Sequence, residues 1–354
     1  MISPGGPRAR AAGLLRALLA VAFSLLVGEG ALRLFHRVRP IPMLFDDSYN
    51  RFRGKPFAED YDFRLNSRGF KDLEFPADKG SAYRILGIGD SFAFGVVPYR
   101  YNYLTRLEEL LRDGGAEVEV LNMGIPGIGP RDYLALLVHE GLALEPDMVV
   151  LSFFVGNDLL ESRPRPRKRR WYSRSYVATL AAFVLAVRKD FEGTTVHGRI
   201  EYDDEAPSLA AKAFRRIESV RGDICLAGGR ALPAMLDGAL GYLREFARIC
   251  RSRKIALVVV LIPDEVQVDG GLEGRVRAWL GATAEGAWSA ALPNERLAAG
   301  LADLGVDFLD LLPPFARAGS ARRLYKPRDT HWNIAGNELA AELIRDHVAP
   351  QIRR

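Results

Sequence analysis

Three side chains in this sequence could together attack an ester carbonyl: a hydroxyl at Ser91, an imidazole at His331 and a carboxylate at Asp329. A serine nucleophile needs a base to take its proton and an acid to orient that base. Two further stretches could hold the negative charge that forms on the carbonyl oxygen. Asn122 to Gly127 (Asn-Met-Gly-Ile-Pro-Gly) offers glycine amides that a ligand can approach closely, and Gly156-Asn157-Asp158 offers a side-chain amide. Each motif has an ordinary explanation when taken singly. Gly89-Asp90-Ser91 could merely cap a helix, Gly124 and Gly127 could make a tight turn, and Asn157-Asp158 could be a polar turn. Asp329-Thr330-His331, followed by Asn333 and Gly336, could be a capping loop with a surface histidine.

The elements around these motifs give them positions. Residues 83–89 form a short apolar run ended by glycine, which reads as a buried strand with Ser91 directly after it. Residues 118–121 and 148–155 read as two more strands. The latter is apolar without alternation, as a central parallel strand should be. Residues 255–262 and 307–311 complete the strand set. Helices are expected over 102–112, 131–144, 234–250, 297–304 and 334–348, the last capped by Asn333. Alternating strands and helices imply a parallel sheet covered on both faces. Ligand sites in such sheets lie at the carboxyl ends of the strands. Ser91, Gly127 and Asn157 each follow a strand and so converge on one edge.

Taken in order, the motifs resemble those of the SGNH (GDSL-type) hydrolase family. The matching residues are Gly89-Asp90-Ser91, Asn122-x-Gly124-x-x-Gly127, Gly156-Asn157-Asp158 and Asp329-x-His331. The resemblance implies a flavodoxin-like three-layer α/β/α sandwich and hydrolase or acyltransferase activity. It makes Ser91 the nucleophile, His331 the base and Asp329 its partner. The oxyanion hole is then the backbone amides of Ser91 and Gly127 with the Asn157 side chain. No metal or organic cofactor is called for. Many family members place two residues between Asp and His, whereas only Thr330 stands between them here. The shorter spacing looks like that of membrane-linked SGNH proteins that O-acetylate exopolysaccharides.

The chain has 354 residues, 48% hydrophobic and 26% charged, enough for one large α/β domain with additions. An apolar stretch over residues 11–35 follows a basic tail over 1–10. It reaches the length of a membrane-spanning helix only with Arg16 and Arg33 at its ends. An uncleaved signal anchor is the favoured reading, placing the chain once across a bacterial inner membrane with its catalytic domain in the periplasm. A cleaved signal peptide ending near Gly28 and Gly30, or a plain buried helix, are the alternatives. Residues 36–83 read as a stalk and lead-in. The SGNH-like domain covers 84–348, with an insertion at about 159–230.

Within the insertion, residues 176–187 are apolar but too short to span a membrane, and they read as a helix covering the core or the site mouth. The basic run from Arg163 to Arg170 is a solvated loop by default, or a contact for anionic head groups or an acidic polysaccharide. The net charge of +5 demands no nucleic acid, because no base-reading module is present. Cys225 and Cys250 could pair or stay reduced. Three functions compete: an esterase acting on acyl groups of an envelope carbohydrate or lipid, an O-acyltransferase using a polysaccharide hydroxyl, and a non-catalytic polysaccharide-binding scaffold.

Overall fold

The computed structural model describes residues 7–38, 56–163, 175–190, 197–229, 231–282 and 287–352. Most of the basic run, residues 39–55 of the lead-in and the first six residues lie outside the described residues. The chain divides into two compact units. One comprises Met1–Arg51 and Pro166–Thr194, and the other Phe52–Arg165 and Thr195–Arg354.

The first unit contains the helices α1 (Pro7–Val38) and α6 (Tyr176–Asp190). Residues Ala11–Phe35 of α1 are long and apolar enough to cross a membrane, and Leu14, Leu18, Phe23 and Leu26 are exposed along it. Helix α6 packs on α1. The joint is polar. Glu29 of α1 accepts hydrogen bonds from the Ser175 hydroxyl at 2.9 Å and from the backbone amides of Tyr176 and Val177 at 3.0 Å. Those amides lack partners within their own helix, so the carboxylate caps α6 from another element.

The second unit is built on five parallel strands: β1 (Tyr83–Ile88), β2 (Val118–Asn122), β3 (Met148–Phe154), β4 (Ala256–Ile262) and β5 (Asp307–Asp310). Their order is β2-β1-β3-β4-β5, the doubly wound arrangement in which the direction of winding reverses between β1 and β3. Every residue of β3 is buried, because both faces of the sheet are covered. On one face Met148, Val150 and Phe154 join a core with Leu104 and Leu107 of α3 (Tyr103–Asp113), Phe315 of α12 (Leu312–Gly319) and Ile344 of α13 (Ile334–Ile352). The opposite face buries Val149, Leu151 and Phe153. The helices α4 (Pro130–His139), α8 (Leu232–Arg253) and α11 (Leu292–Asp303) follow β2, precede β4 and precede β5.

Most expected elements appear with shifted ends. The expected helix over 131–144 splits into α4 and a 3₁₀ turn, Gly141–Leu144. Elements not expected include α7 (Ala211–Gly222), within the region read as irregular, a helix at Gly270–Trp279, and α12. Cys225 and Cys250 are both buried and free.

Residues 56–82 are packed onto this unit. Lys71 is fully buried, and its ammonium donates to the carbonyls of Gly95 at 2.8 Å and Val97 at 2.5 Å. It pairs with Asp60 at 2.5 Å, and the other Asp60 oxygen meets the backbone amide and Nδ1 of His197 at 2.9 Å. Burial pushes the Lys71 ammonium below its ordinary range, and the Asp60 charge opposes that. Gly95 and Val97 belong to the turn after β1, so this pair braces the segment that carries Ser91. Removing one partner leaves an uncompensated buried charge. Asp60→Asn should therefore lower unfolding stability by about 3–5 kcal/mol, read from the urea midpoint. An unchanged midpoint would contradict this role for the pair.

Candidate active site

Ser91 opens α2 (Ser91–Phe94), a single turn at the carboxyl end of β1. Asp90 caps it, accepting a hydrogen bond from the Phe92 amide at 2.9 Å. Burial pushes the Asp90 carboxyl up to about 6, against the Phe92 amide and the charges of His331 and Arg221.

His331 approaches from the loop before α13. Its Nε2 lies 2.8 Å from Ser91 Oγ, and its Nδ1 lies 2.7 Å from Asp329 Oδ1. The second Asp329 oxygen accepts the hydroxyl of Ser208. Burial alone would raise the Asp329 pKa. The hydrogen bond and charge of His331, with the Ser208 hydroxyl, outweigh it and hold the carboxyl below its ordinary value. Asp329 is thus a carboxylate that fixes the proton on His331 Nδ1 and leaves Nε2 to face the serine.

The loop achieves this with unusual backbone. Arg328 and Thr330 have φ of 49° and 78°, a region that non-glycine residues, β-branched ones above all, seldom adopt. Backbone hydrogen bonds close it on either side: Lys326 N donates to His331 O at 2.9 Å, and Asn333 N to Leu324 O at 3.0 Å. Asn333 also caps α13, accepting the Gly336 amide at 2.9 Å. Trp332, beside the imidazole, is buried against Phe92 with ring centroids 4.9 Å apart, and against Phe315 at 5.1 Å. The residues next to Ser91 and His331 therefore pack on each other.

The other two motifs sit at the ends of the strands flanking β1. Asn122 donates from Nδ2 to Ala93 O at 2.9 Å and accepts the Gly124 amide at 2.8 Å. A Cβ on Gly124 would stand 2.1 Å from the Phe94 backbone nitrogen, so only glycine lets this loop lie against α2. The Gly124 amide is thereby committed, while Gly127 is exposed in a turn at φ 72°. Asn157 lies in the first turn of α5 (Val155–Glu161), after β3. Its Oδ1 accepts a hydrogen bond from Arg221 Nε at 3.1 Å, which turns the amide so that Nδ2 is the group left to donate. Asp158 has a structural position, accepting the Tyr133 hydroxyl at 3.0 Å and the Phe154 amide at 2.9 Å.

Two polar partners of the site carry no sequence signal. Ser208 is one hydroxyl in a stretch of acidic residues and proline. Arg221 belongs to α7. It lies over the Phe154 ring at 4.8 Å and reaches Glu218 and Asp264 at 3.7 Å. Both carboxyls are buried, with the Arg221 guanidinium between them as a shared counter-charge.

A family model, the SGNH hydrolase-like domain of the acetyltransferase AlgX, matches residues 233–354, the segment that holds Asp329 and His331. That segment is similar to an SGNH hydrolase-like domain. Among solved structures, the acetyl xylan esterase AlAXEase is similar at 15% identity and a TM-score of 0.43, over 75% of this chain and 99% of that one. The lipase/acylhydrolase from Enterococcus faecalis is similar at 16% identity and a TM-score of 0.42, over 76% and 96% of the two chains. Axe2, an acetylxylan esterase from Geobacillus stearothermophilus, follows at 14% identity and 0.40, over 76% and 95%. No curated protein matches the sequence.

The Glu218 carboxyl is pushed up to about 10 by burial and by the charge of Asp264. A carboxyl raised in the folded state contributes stability that is complete below its unfolded pKa of 4.5 and is lost as pH rises toward that folded value. The thermal midpoint should therefore fall between about pH 6 and pH 9, and Glu218→Gln should flatten that fall. Equal slopes in the two proteins would show that Glu218 is not the group responsible.

Proposed function

We infer that this chain is a serine esterase of the SGNH type, with Ser91 as nucleophile, His331 as general base and Asp329 as the acid that orients the imidazole. The reading rests on one observation: the unbroken hydrogen-bonded line from Ser91 Oγ through His331 to Asp329 Oδ1. His331 Nε2 takes the serine proton as Oγ bonds to the ester carbonyl carbon. The tetrahedral intermediate collapses, the alcohol leaves with that proton, and the acyl group stays on Ser91. Water, activated by His331 in turn, releases the acid. The amides of Ser91 and Gly127, with Asn157 Nδ2, hold the oxyanion. The engagement of Asn157 Oδ1 by Arg221 supports the last assignment.

The substrate is an ester-linked acyl group, acetyl in the smallest case, on a carbohydrate or lipid of the cell envelope. Helix α1 anchors the chain once across the inner membrane, and the catalytic unit faces the periplasm. The run Arg163 to Arg170 adds positive charge for an anionic surface. A second reading, transfer of the acyl group to a polysaccharide hydroxyl, is favoured by the acetyltransferase description of the matching family. It differs only in what resolves the acyl-enzyme.

A fluorophosphonate probe should label Ser91, and Ser91→Ala should abolish labelling. Ser91→Ala and His331→Ala should each lower ester turnover by at least about a thousandfold with an unchanged circular dichroism spectrum. Asn157→Ala should cost about a hundredfold or more in kcat. Near-native turnover in Ser91→Ala would overturn the assignment. Adding an oligosaccharide acceptor and following acylated sugar against free acid separates transfer from hydrolysis.

A further inference from the structure

One surface of the catalytic unit has a lining unlike that of a site for acetyl alone. A groove of about 770 Å³ is lined by Leu160, Ala213, Ile217 and Val220, with Asn157 and Arg221 among its remaining walls. Its long wall is α7, whose residues 213, 217 and 220 fall on one face at helical spacing. Lys212 and Arg216 also line it. Val220 is more than half exposed, so this apolar wall has no protein cover among the described residues.

The position of the groove decides what would fill it. Asn157 is shared between the groove and the oxyanion site, and Arg221, which fixes the Asn157 amide, is shared as well. Because Asn157 lines the groove, an ester whose carbonyl oxygen is held by Asn157 Nδ2 has its substituents beside it, and an extended acyl chain is the apolar one. An acetyl group carries one methyl beyond the carbonyl and would leave nearly all of this volume to water. The volume lies within the range of sites that hold whole small molecules.

We propose that the groove along α7 binds the hydrocarbon tail of the acyl group, and that the preferred substrates are esters of medium-length acyl chains. This rests on the esterase reading above and names the acyl class that reading leaves open. Burying one methylene fully is worth about a fourfold gain in binding, and an open groove buries each only in part, so about twofold per methylene is expected. Between acetyl and octanoyl, six methylenes would then raise kcat/KM by several tens of times. The gain arises from the tail in ground state and transition state alike, so it falls mainly in KM.

The test uses the full-length protein in detergent with p-nitrophenyl esters from acetate to octanoate, which share one leaving group. The expected result is a rise in kcat/KM along the series. Val220→Trp and Ile217→Trp, which fill the groove, should flatten the rise, lowering octanoate turnover at least tenfold more than acetate turnover. Val220 is exposed, so its replacement tests the groove without disturbing the core. A series that is flat or falls with length overturns the proposal while leaving the serine esterase intact. A rise that both tryptophan variants retain also overturns it, because the tail is then bound elsewhere. Failure to turn over any ester, with no probe labelling of Ser91, overturns the esterase reading itself.

Discussion

The contact between Phe92 and Trp332 is the constraint on which the site depends. Ser91 and His331 are 240 positions apart and share one hydrogen bond, which by itself contributes only about 1 kcal/mol. Their neighbours are large aromatics that meet edge to face in the same core as Tyr103 and Phe315. That packing is worth several times the hydrogen bond. The serine and imidazole thus project from the rim of an apolar cluster that sets their separation before any polar contact forms. Preorganisation of this kind lets a catalytic hydrogen bond be short without being the source of its own geometry.

Around that cluster the structure tolerates a density of buried charge that would be costly elsewhere. Lys71 and Asp60 brace one side of the nucleophile turn, and Arg221 with Glu218 and Asp264 supports Asn157 on another. Buried ion pairs seldom add net stability, because desolvation offsets most of the attraction. What they do supply here is direction. A guanidinium held over the Phe154 ring and beside two carboxyls has little freedom left, so the amide it touches has little freedom either.

Much of this was legible in the sequence, for reasons that differ between elements. The strands show because a sheet covered on both faces needs uninterrupted apolar runs, as in β3 and β4. Ser91, Asp329 and His331 stand out because their residue types are rare as an ordered set, and the structure brings them into one line. Helix α7 was hidden because its buried residues are Phe214, Glu218, Arg221 and Gly222. Half of that stripe is charged, so hydrophobic periodicity cannot reveal it. Helix α6 is a different case. Its apolar composition announces a buried helix without saying what it packs on, and the capping carboxylate that answers the question, Glu29, lies 146 residues before Ser175.

The placement of α13 has a consequence for how the molecule comes into being. It is the last element of the chain described, yet it packs on α3, tied there by Arg106 and Glu338 at 2.9 Å, and it closes the face of the sheet that β1 and β2 begin. As the chain emerges from the ribosome, that apolar face stays open while more than two hundred further residues are made. Contacts of such long range form slowly, and open strand faces are where growing chains misassociate. The same closing step delivers Trp332, and with it His331, to the serine. Shielding of the core and arming of the nucleophile are therefore one event, and a partly folded chain carries an unactivated hydroxyl.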